Sequence, residues 1–167
     1  MLDALAGLDA RVVLTIGDDR DLGELGPLPS NAHVERWIPH DAIVRHADVV
    51  VCHGGFGSTL GTLRHGVPLV VLPLFSINQW ANAAAVSRVG AGIALDGERH
   101  TRPVLGLPAD KTIAGLRKAV EQVLATGSHR HAAERIADAE RSSLWLATAV
   151  DELVSIAARR PVGARSG

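Results

Sequence analysis

The 167-residue sequence is poor in several residue types that mark specialised classes of protein. Its single cysteine, Cys52, excludes an intramolecular disulfide and therefore a disulfide-stapled secreted scaffold. Lys and Arg number 17 against 18 Asp and Glu, and this lack of a basic excess argues against a nucleic-acid partner. We find neither a signal-peptide pattern nor an apolar run of about 18 residues, so no membrane span is expected. These absences predict a soluble, cytoplasmic protein.

Aromatic side chains are also scarce, at 3% with no tyrosine, so each ring that is present carries information. Apolar residues make up 47% of the chain, which is too many for a disordered one. Short β-branched runs alternate with helical patterns, and this alternation predicts a Rossmann-like, doubly wound α/β fold with a parallel sheet of about four to six strands. We expect one domain over residues 1–160, a flexible tail over 161–167, and loops at Asp18–Asn31 and Glu98–Pro108.

The predicted elements follow from these patterns. The strand candidates are Arg11–Ile16, His33–Trp37, Asp48–Cys52, Leu69–Leu72 and Ile93–Leu95. The helix candidates are residues 1–9, Asp41–His46, a helix capped by Ser58 or Thr59 that ends at Gly66, Asn78–Val89, Lys111–Leu124, Ser128–Arg141 and Leu144–Arg159. We expect the last helix, which is amphipathic, to pack on the core. Ligands of such folds bind at the carboxyl ends of the strands.

The densest candidate site is the glycine-rich segment that follows the strand ending at Cys52. Its glycines are Gly54, Gly55 and Gly57, and a helix follows directly. Glycines let the backbone approach an anion, and a helix N-terminus offers free N–H groups, so the segment predicts a phosphate or pyrophosphate site. A tight turn without a ligand is the alternative interpretation.

Two common nucleotide motifs do not fit this segment. A P-loop needs a lysine after its last glycine, and no lysine occurs before Lys111. The dinucleotide fingerprint needs an acidic residue at the end of the next strand, which here ends in LPLFS. His53 precedes the glycines, where it either donates a hydrogen bond to a phosphate oxygen or packs against its own loop.

Three segments together resemble the glycosyltransferase 1 family, especially its actinobacterial antibiotic-type members. They are Trp37–His40, His53–Leu60 followed by Gly66–Pro68, and Asn78–Gln79 followed by Asn82–Ala83. The resemblance covers Val34 to Leu95, with a weaker helical match from Lys111 to Ala158. It implies a GT-B architecture, in which two Rossmann-like domains face each other, and this chain resembles the C-terminal, nucleotide-sugar-binding one.

The resemblance also implies roles for single residues. Trp37 matches the aromatic residue that stacks on uracil or thymine, although a core tryptophan is the alternative. The implied nucleotide-binding residues are Trp37, Ile38, His40, His53, Gly55, Gly57, Ser58 and Thr59. Asn78 and Gln79 match the pair that binds the sugar hydroxyls. A UDP- or dTDP-sugar donor is implied, with no metal and no other cofactor; the histidines of His129–His131 face different ways on a helix and make a poor chelate.

Two departures from the family pattern bear on the donor. Many relatives have a glutamate at the position of Gly61, where it binds the ribose hydroxyls, and an acidic residue at the position of Asn78. His40 stands where glutamine is frequent, which puts its side-chain role in question. Because a deoxyribose lacks the 2′-hydroxyl and needs less from position 61, we hypothesise a dTDP-sugar.

The family's acceptor site and catalytic base lie on an N-terminal domain, and nothing in the first 30 residues resembles it. We therefore assign no catalytic residue and expect the chain alone to be inactive. The first strand of the family's C-terminal domain is also expected to be missing, which would leave a sheet position empty. A fragment, a truncated product and half of an enzyme completed by a partner chain or a second copy all stay open.

Three functions remain under comparison. The first is the donor domain of an inverting glycosyltransferase acting on a small, natural-product-like acceptor. The second is a non-catalytic module or half-enzyme that binds nucleotide sugar. The third, a sugar-nucleotide epimerase of the same fold, would need carboxylates near the sugar, and Ser76–Gln79 offers none.

Overall fold

A computed structural model describes residues 2–19, 21–95, 110–143 and 145–159. Its strands are β1 (Val12–Thr15), β2 (Ala32–Glu35), β3 (Val50–Cys52), β4 (Leu69–Val71) and β5 (Gly92–Ala94). Its helices are α1 (Leu2–Leu5), α2 (His40–Val44), α3 (Phe56–Arg64), α4 (Ile77–Arg88), α5 (Asp110–Ala125), α6 (Gly127–Ser142) and α7 (Trp145–Arg159). A 3-10 turn, Leu22–Leu25, interrupts the predicted loop 18–31. The predicted loop 98–108 and tail 161–167 lie outside the described residues.

All ladders between the described strands are parallel. β1 pairs with β2, and β4 lies between β3 and β5. The predicted parallel α/β fold is confirmed, but the five described strands form two hydrogen-bonded groups rather than one sheet. Val12 of β1 and Val51 of β3 pack on the same apolar cluster, but no backbone hydrogen bonds join their strands. The absence of the first strand of the family's C-terminal domain, and the empty sheet position that it would leave, stay predictions.

Strand β4 divides the core between two faces. Leu69, Val70 and Val71 are all fully buried, and alternate residues of a strand point to opposite faces. Leu69 and Val71 join a cluster with residues of α3, α4 and α6. Val70 joins a second cluster with residues of α1 and α5. Helices therefore cover both faces of this sheet, as a doubly wound fold requires.

The predicted packing of the last helix on the core is wrong for the described part of α7. Val150, Leu153 and Val154 share one helix face, and all three side chains are exposed. None of them belongs to either core cluster. Their spacing defines an apolar face, but spacing says nothing about whether a neighbouring element covers it.

We expect Gly92→Ala to destabilise the fold strongly. A Cβ atom at this position would overlap the Leu69 carbonyl oxygen and lie 2.8 Å from the carbonyl carbon, in the ladder between β4 and β5. Overlap with the backbone cannot be relieved by rotating a side chain, so we expect a loss of about 3 kcal/mol or more in the free energy of unfolding. Urea unfolding measures it. Gly57→Ala, whose Cβ would meet no atom within 4 Å, is the matched control; equal midpoints for both variants would contradict the packing described.

Candidate functional site

The predicted site residues lie in three connections that follow β2, β3 and β4. The first carries Trp37, Ile38 and His40, the second carries the glycines after Cys52, and the third leads into α4 with Asn78 and Gln79. The structure brings the first connection against α3, because the His40 ring lies 3.2 Å from the position that a Cβ on Gly61 would take. It also joins the second and third, as the contacts below show.

The second connection turns sharply at Gly54. Its φ of +86° lies in the left-handed region, and a Cβ there would come within 2.7 Å of the Val71 side chain and 3.0 Å of the Gln79 carbonyl oxygen. A side chain therefore has neither the backbone conformation nor the space that it needs at this position. Only glycine lets the loop pass this close to β4 and α4.

Helix α3 begins at Phe56, earlier than predicted. Gly55 is the N-cap residue and makes no side-chain cap, and its carbonyl accepts the Thr59 N–H at 2.9 Å. The predicted cap at Ser58 or Thr59 is wrong, because the helix already has its N-cap at Gly55, three residues before Ser58. The N-cap residue offers no side chain to the N–H groups of the first turn, so these groups can donate hydrogen bonds to an anion.

The two hydroxyl residues of this turn have different surroundings. Ser58 is half-buried, and its carbonyl accepts the Thr62 hydroxyl at 2.7 Å. Thr59 is buried, and its Oγ1 makes no hydrogen bond of normal geometry with the described residues. The Thr59 hydroxyl lies near the Cys52 thiol and lowers the pKa of that thiol. In this arrangement Ser58 is the better placed of the two for a ligand.

Burial raises the pKa of the Cys52 thiol from its ordinary value of 9.0, and the polar groups beside it, the Gly54 backbone and the Thr59 hydroxyl, oppose this rise. A thiol that stays protonated is a poor nucleophile. Cys52 also packs on the cluster that contains Val71. Both observations agree with the prediction that Cys52 serves in packing.

Because the fold favours the neutral thiol, Cys52 should make the protein sensitive to alkali. Well below pH 9.0, the ordinary pKa of the thiol, Cys52 is protonated in both the folded and the unfolded chain and adds no pH dependence to the stability. Above that value the unfolded chain ionises first, so stability is lost as the pH rises. We expect the stability difference between wild type and Cys52→Ala to shrink from about pH 8 to about pH 10 in chemical unfolding. A constant difference would contradict this burial.

His53 is exposed, and its ring stacks on Phe75 from the third connection. The ring centroids are 6.4 Å apart and the ring planes differ by 15°. The Nε2 atom lies 2.7 Å from the position that a Cβ on Gly55 would take, so the glycine gives the imidazole its space. The ring therefore packs against another loop rather than against its own, and it stays open to solvent. A hydrogen bond from His53 to a phosphate oxygen stays a prediction.

Asn78 and Gln79 are adjacent in sequence but face different surroundings. Asn78 is exposed at the start of α4. Gln79 is only 4% exposed, and its Oε1 accepts the N–H groups of Leu74 and Phe75 at 2.9 and 3.1 Å. Its side-chain oxygen is therefore engaged by the loop. The sequence pattern of the pair could not reveal this difference.

Asn82 was not predicted to have a role of its own. Its Nδ2 donates to the Gly54 carbonyl at 2.8 Å, which ties α4 to the glycine loop. The available signal was its place three residues after Gln79, which puts both amides on one side of the helix.

Trp37 is 67% exposed, so the alternative of a core tryptophan is wrong. Other large apolar side chains near the starts of α3 and α4 are exposed as well, namely Phe56, Phe75 and Ile77. An exposed tryptophan following a strand offers a flat apolar face on which a base can stack.

Within the part of the chain that the structure describes, no three His, Cys, Asp or Glu residues are grouped so as to hold a metal ion. The described helices also include none that is long and apolar enough to cross a membrane.

Parallel strands, helices on both faces and a glycine turn leading into a helix define a Rossmann-like α/β domain. Comparisons with known proteins match this domain to the C-terminal domain of GT-B glycosyltransferases. Residues 1–156 match the family described as erythromycin biosynthesis protein CIII-like, C-terminal domain, and the chain belongs to that family. The resemblance stated from the motifs is thereby confirmed.

Individual proteins of known sequence or structure are also similar to this chain. The chain is 37% identical over 148 residues to the 4'-demethylrebeccamycin synthase of Lentzea aerocolonigenes, covering 89% of this chain and 32% of the relative. It resembles the calicheamicin glycosyltransferase CalG4 with a TM-score of 0.76 and 31% identity, and the glycosyltransferase VinC in complex with dTDP with a TM-score of 0.77 and 27% identity. Each structural match covers 95% of this chain and 37% of the other. The chain thus spans about a third of the length of these proteins.

Proposed function

We propose that this domain binds the nucleotide-sugar donor of an inverting glycosyltransferase that modifies a small, natural-product-like acceptor. The observation that carries the proposal is the pairing of an exposed ring, Trp37, with an uncapped helix N-terminus at Gly55. The ring suits a pyrimidine base and the helix N-terminus suits a pyrophosphate. Family membership supports the same assignment. A cytoplasmic location stays a prediction from composition.

The glycine loop stabilises the leaving group in this proposal. Transfer breaks the bond between the anomeric carbon and the pyrophosphate oxygen, so negative charge grows on the nucleoside diphosphate. The first-turn N–H groups of α3 and the Ser58 hydroxyl are fixed before the reaction, which makes them effective at stabilising that charge. His53, exposed beside them, donates a hydrogen bond to the phosphate.

The acceptor hydroxyl must lose a proton as it attacks, and the base for this step is proposed to lie outside the described residues. Asn78, which is exposed at the start of α4, is proposed to hydrogen-bond a hydroxyl of the sugar. Gln79, whose Oε1 is engaged by Leu74 and Phe75, keeps its Nε2 for the sugar. The contribution of Gln79 to sugar binding is therefore smaller than the motif implies.

A dTDP-sugar is the proposed donor. Position 61 is a glycine, which itself offers no carboxylate to the ribose hydroxyls, and the His40 ring occupies the space beside it. VinC, the relative with a TM-score of 0.77, is described in complex with dTDP. Both observations favour a deoxyribose.

Titration of the purified chain with dTDP and with UDP by calorimetry tests this proposal. We expect both to bind and dTDP to bind more tightly, while ADP, which carries a purine in place of the pyrimidine, serves as the control. Tighter binding of UDP would contradict the dTDP assignment. Binding without turnover on any acceptor would favour the half-enzyme, and a folded chain that binds neither nucleotide would refute the donor-binding function.

A further inference from the structure

Helix α4 lies against both loops that carry the proposed phosphate site. The residues that reach the loops are Gln79 and Asn82, which are three positions apart and so share one side of the helix. Each side chain binds backbone atoms of a different loop. Neither contact involves a residue that the phosphate itself would touch.

Gln79 holds the loop between β4 and α4. Its Oε1 accepts two successive backbone N–H groups, from Leu74 at 2.9 Å and Phe75 at 3.1 Å, and the side chain is almost fully buried. Loss of this oxygen would leave two partly buried N–H groups without their partner, which is the costly way to break a hydrogen bond. The loop conformation therefore depends on this one amide.

Asn82 holds the glycine loop. Its Nδ2 donates to the Gly54 carbonyl at 2.8 Å. The same glycine passes so close to the Gln79 backbone that a Cβ would lie 3.0 Å from the Gln79 carbonyl oxygen. The glycine loop thus lies directly on the first turns of α4.

The two loops meet where His53 stacks on Phe75, one ring from each loop. Their separation is set by the two amides of α4. We propose that Gln79 and Asn82 are positioning residues that clamp both loops to α4 and so set the geometry of the nucleotide site. This inference deepens the proposed function and rests on it.

The two members of the clamp have opposite polarity, and this gives the proposal a distinctive signature. Gln79 acts as an acceptor, and a carboxylate is also an acceptor, so Gln79→Glu keeps the clamp. Asn82 acts as a donor, and Asn82→Asp turns a carboxylate oxygen toward the Gly54 carbonyl, so it breaks the clamp. A role limited to filling space would not separate these two substitutions.

The test measures dTDP binding by calorimetry, because dTDP carries no sugar. We expect Gln79→Leu and Asn82→Asp each to weaken dTDP binding about tenfold, the effect of a lost hydrogen bond of about 1.4 kcal/mol. Gln79→Glu should stay within about twofold of wild type. Gln122→Leu, which removes an exposed amide from α5, is the matched control. Unchanged dTDP binding by Gln79→Leu, with weaker binding of the nucleotide sugar only, would overturn the clamp in favour of a direct sugar contact.

Backbone amide exchange without nucleotide separates this inference from the proposed function. We expect the N–H groups of Leu74 and Phe75 to exchange slowly in wild type and Gln79→Glu, and at least about tenfold faster in Gln79→Leu. The amide resonance of Gly55, which shares a peptide group with the Gly54 carbonyl, should shift in Asn82→Asp. If wild type binds no nucleotide, the donor-binding function fails and these amides still decide the clamp. Equal exchange in wild type and Gln79→Leu would refute it.

Discussion

Gly54→Ala is expected to abolish measurable nucleotide binding and to lower the free energy of unfolding by about 2–4 kcal/mol. The alanine would have to adopt a φ of +86° and place its Cβ 2.7 Å from the Val71 side chain and 3.0 Å from the Gln79 carbonyl oxygen. The loop can relieve this contact only by moving away from β4 and α4. Such a movement displaces Gly55 and the start of α3, where the pyrophosphate is proposed to bind.

Gly17→Ala is the matched control for this substitution. Gly17 has a φ of +83°, close to that of Gly54, but a Cβ there would meet no atom within 4 Å. Gly17→Ala introduces the backbone strain without the steric overlap. The difference in unfolding free energy between the two variants therefore measures the cost of the contact with Val71 and Gln79. Urea unfolding and dTDP calorimetry on both variants provide the comparison. Equal losses of stability in the two variants would contradict the close packing of Gly54 against Val71 and Gln79.

Trp37→Ala is expected to weaken dTDP binding by about 1–3 kcal/mol, or about 5- to 150-fold, through loss of the stacked base. Because the side chain is 67% exposed, the substitution should leave the midpoint of urea unfolding nearly unchanged. Trp37→Phe keeps a stacking face and should recover much of the affinity. The measurement is calorimetric titration of all three proteins with dTDP.

Leu153→Ala, which removes another exposed apolar side chain but lies on α7, is the control for loss of surface area alone. It should leave dTDP affinity unchanged. Trp37→Ala with wild-type affinity would show that the base does not stack on this ring. A large loss of stability in Trp37→Ala would instead point to a packing role.

The local elements could be predicted from sequence to within a few residues. The strand from Leu69 and the helix ending near Arg88 carry strong apolar patterns bounded by Gly66, Pro68 and Gly90, and such signals act within one element. The family resemblance also rested on local segments. The start of α3 was missed because cap propensity favours Ser58 and Thr59 over Gly55, whereas the turn at Gly54 decided where the helix begins.

The roles of the amides could not be predicted in the same way. The adjacent pair Asn78–Gln79 resembles a sugar-binding pair, but Gln79 points into the loop and Asn82, three residues on, reaches the Gly54 carbonyl. Hydrogen bonds between residues 28 positions apart in the chain have no local signature. The exposed apolar face of α7 was missed for a related reason, since amphipathic spacing does not identify a covering neighbour.

The sequence by itself determined the α/β class, the glycine turn after Cys52 and the family, because each is carried by patterns within short segments. Parallel pairing was predicted indirectly, from the alternation of strands with helices. Tertiary structure alone decided that Trp37 is exposed, that Thr59 lies near a thiol, that the strands divide into two ladders and that α4 holds both loops. These features depend on which distant segments touch, and contact between distant segments is set by packing across the whole fold.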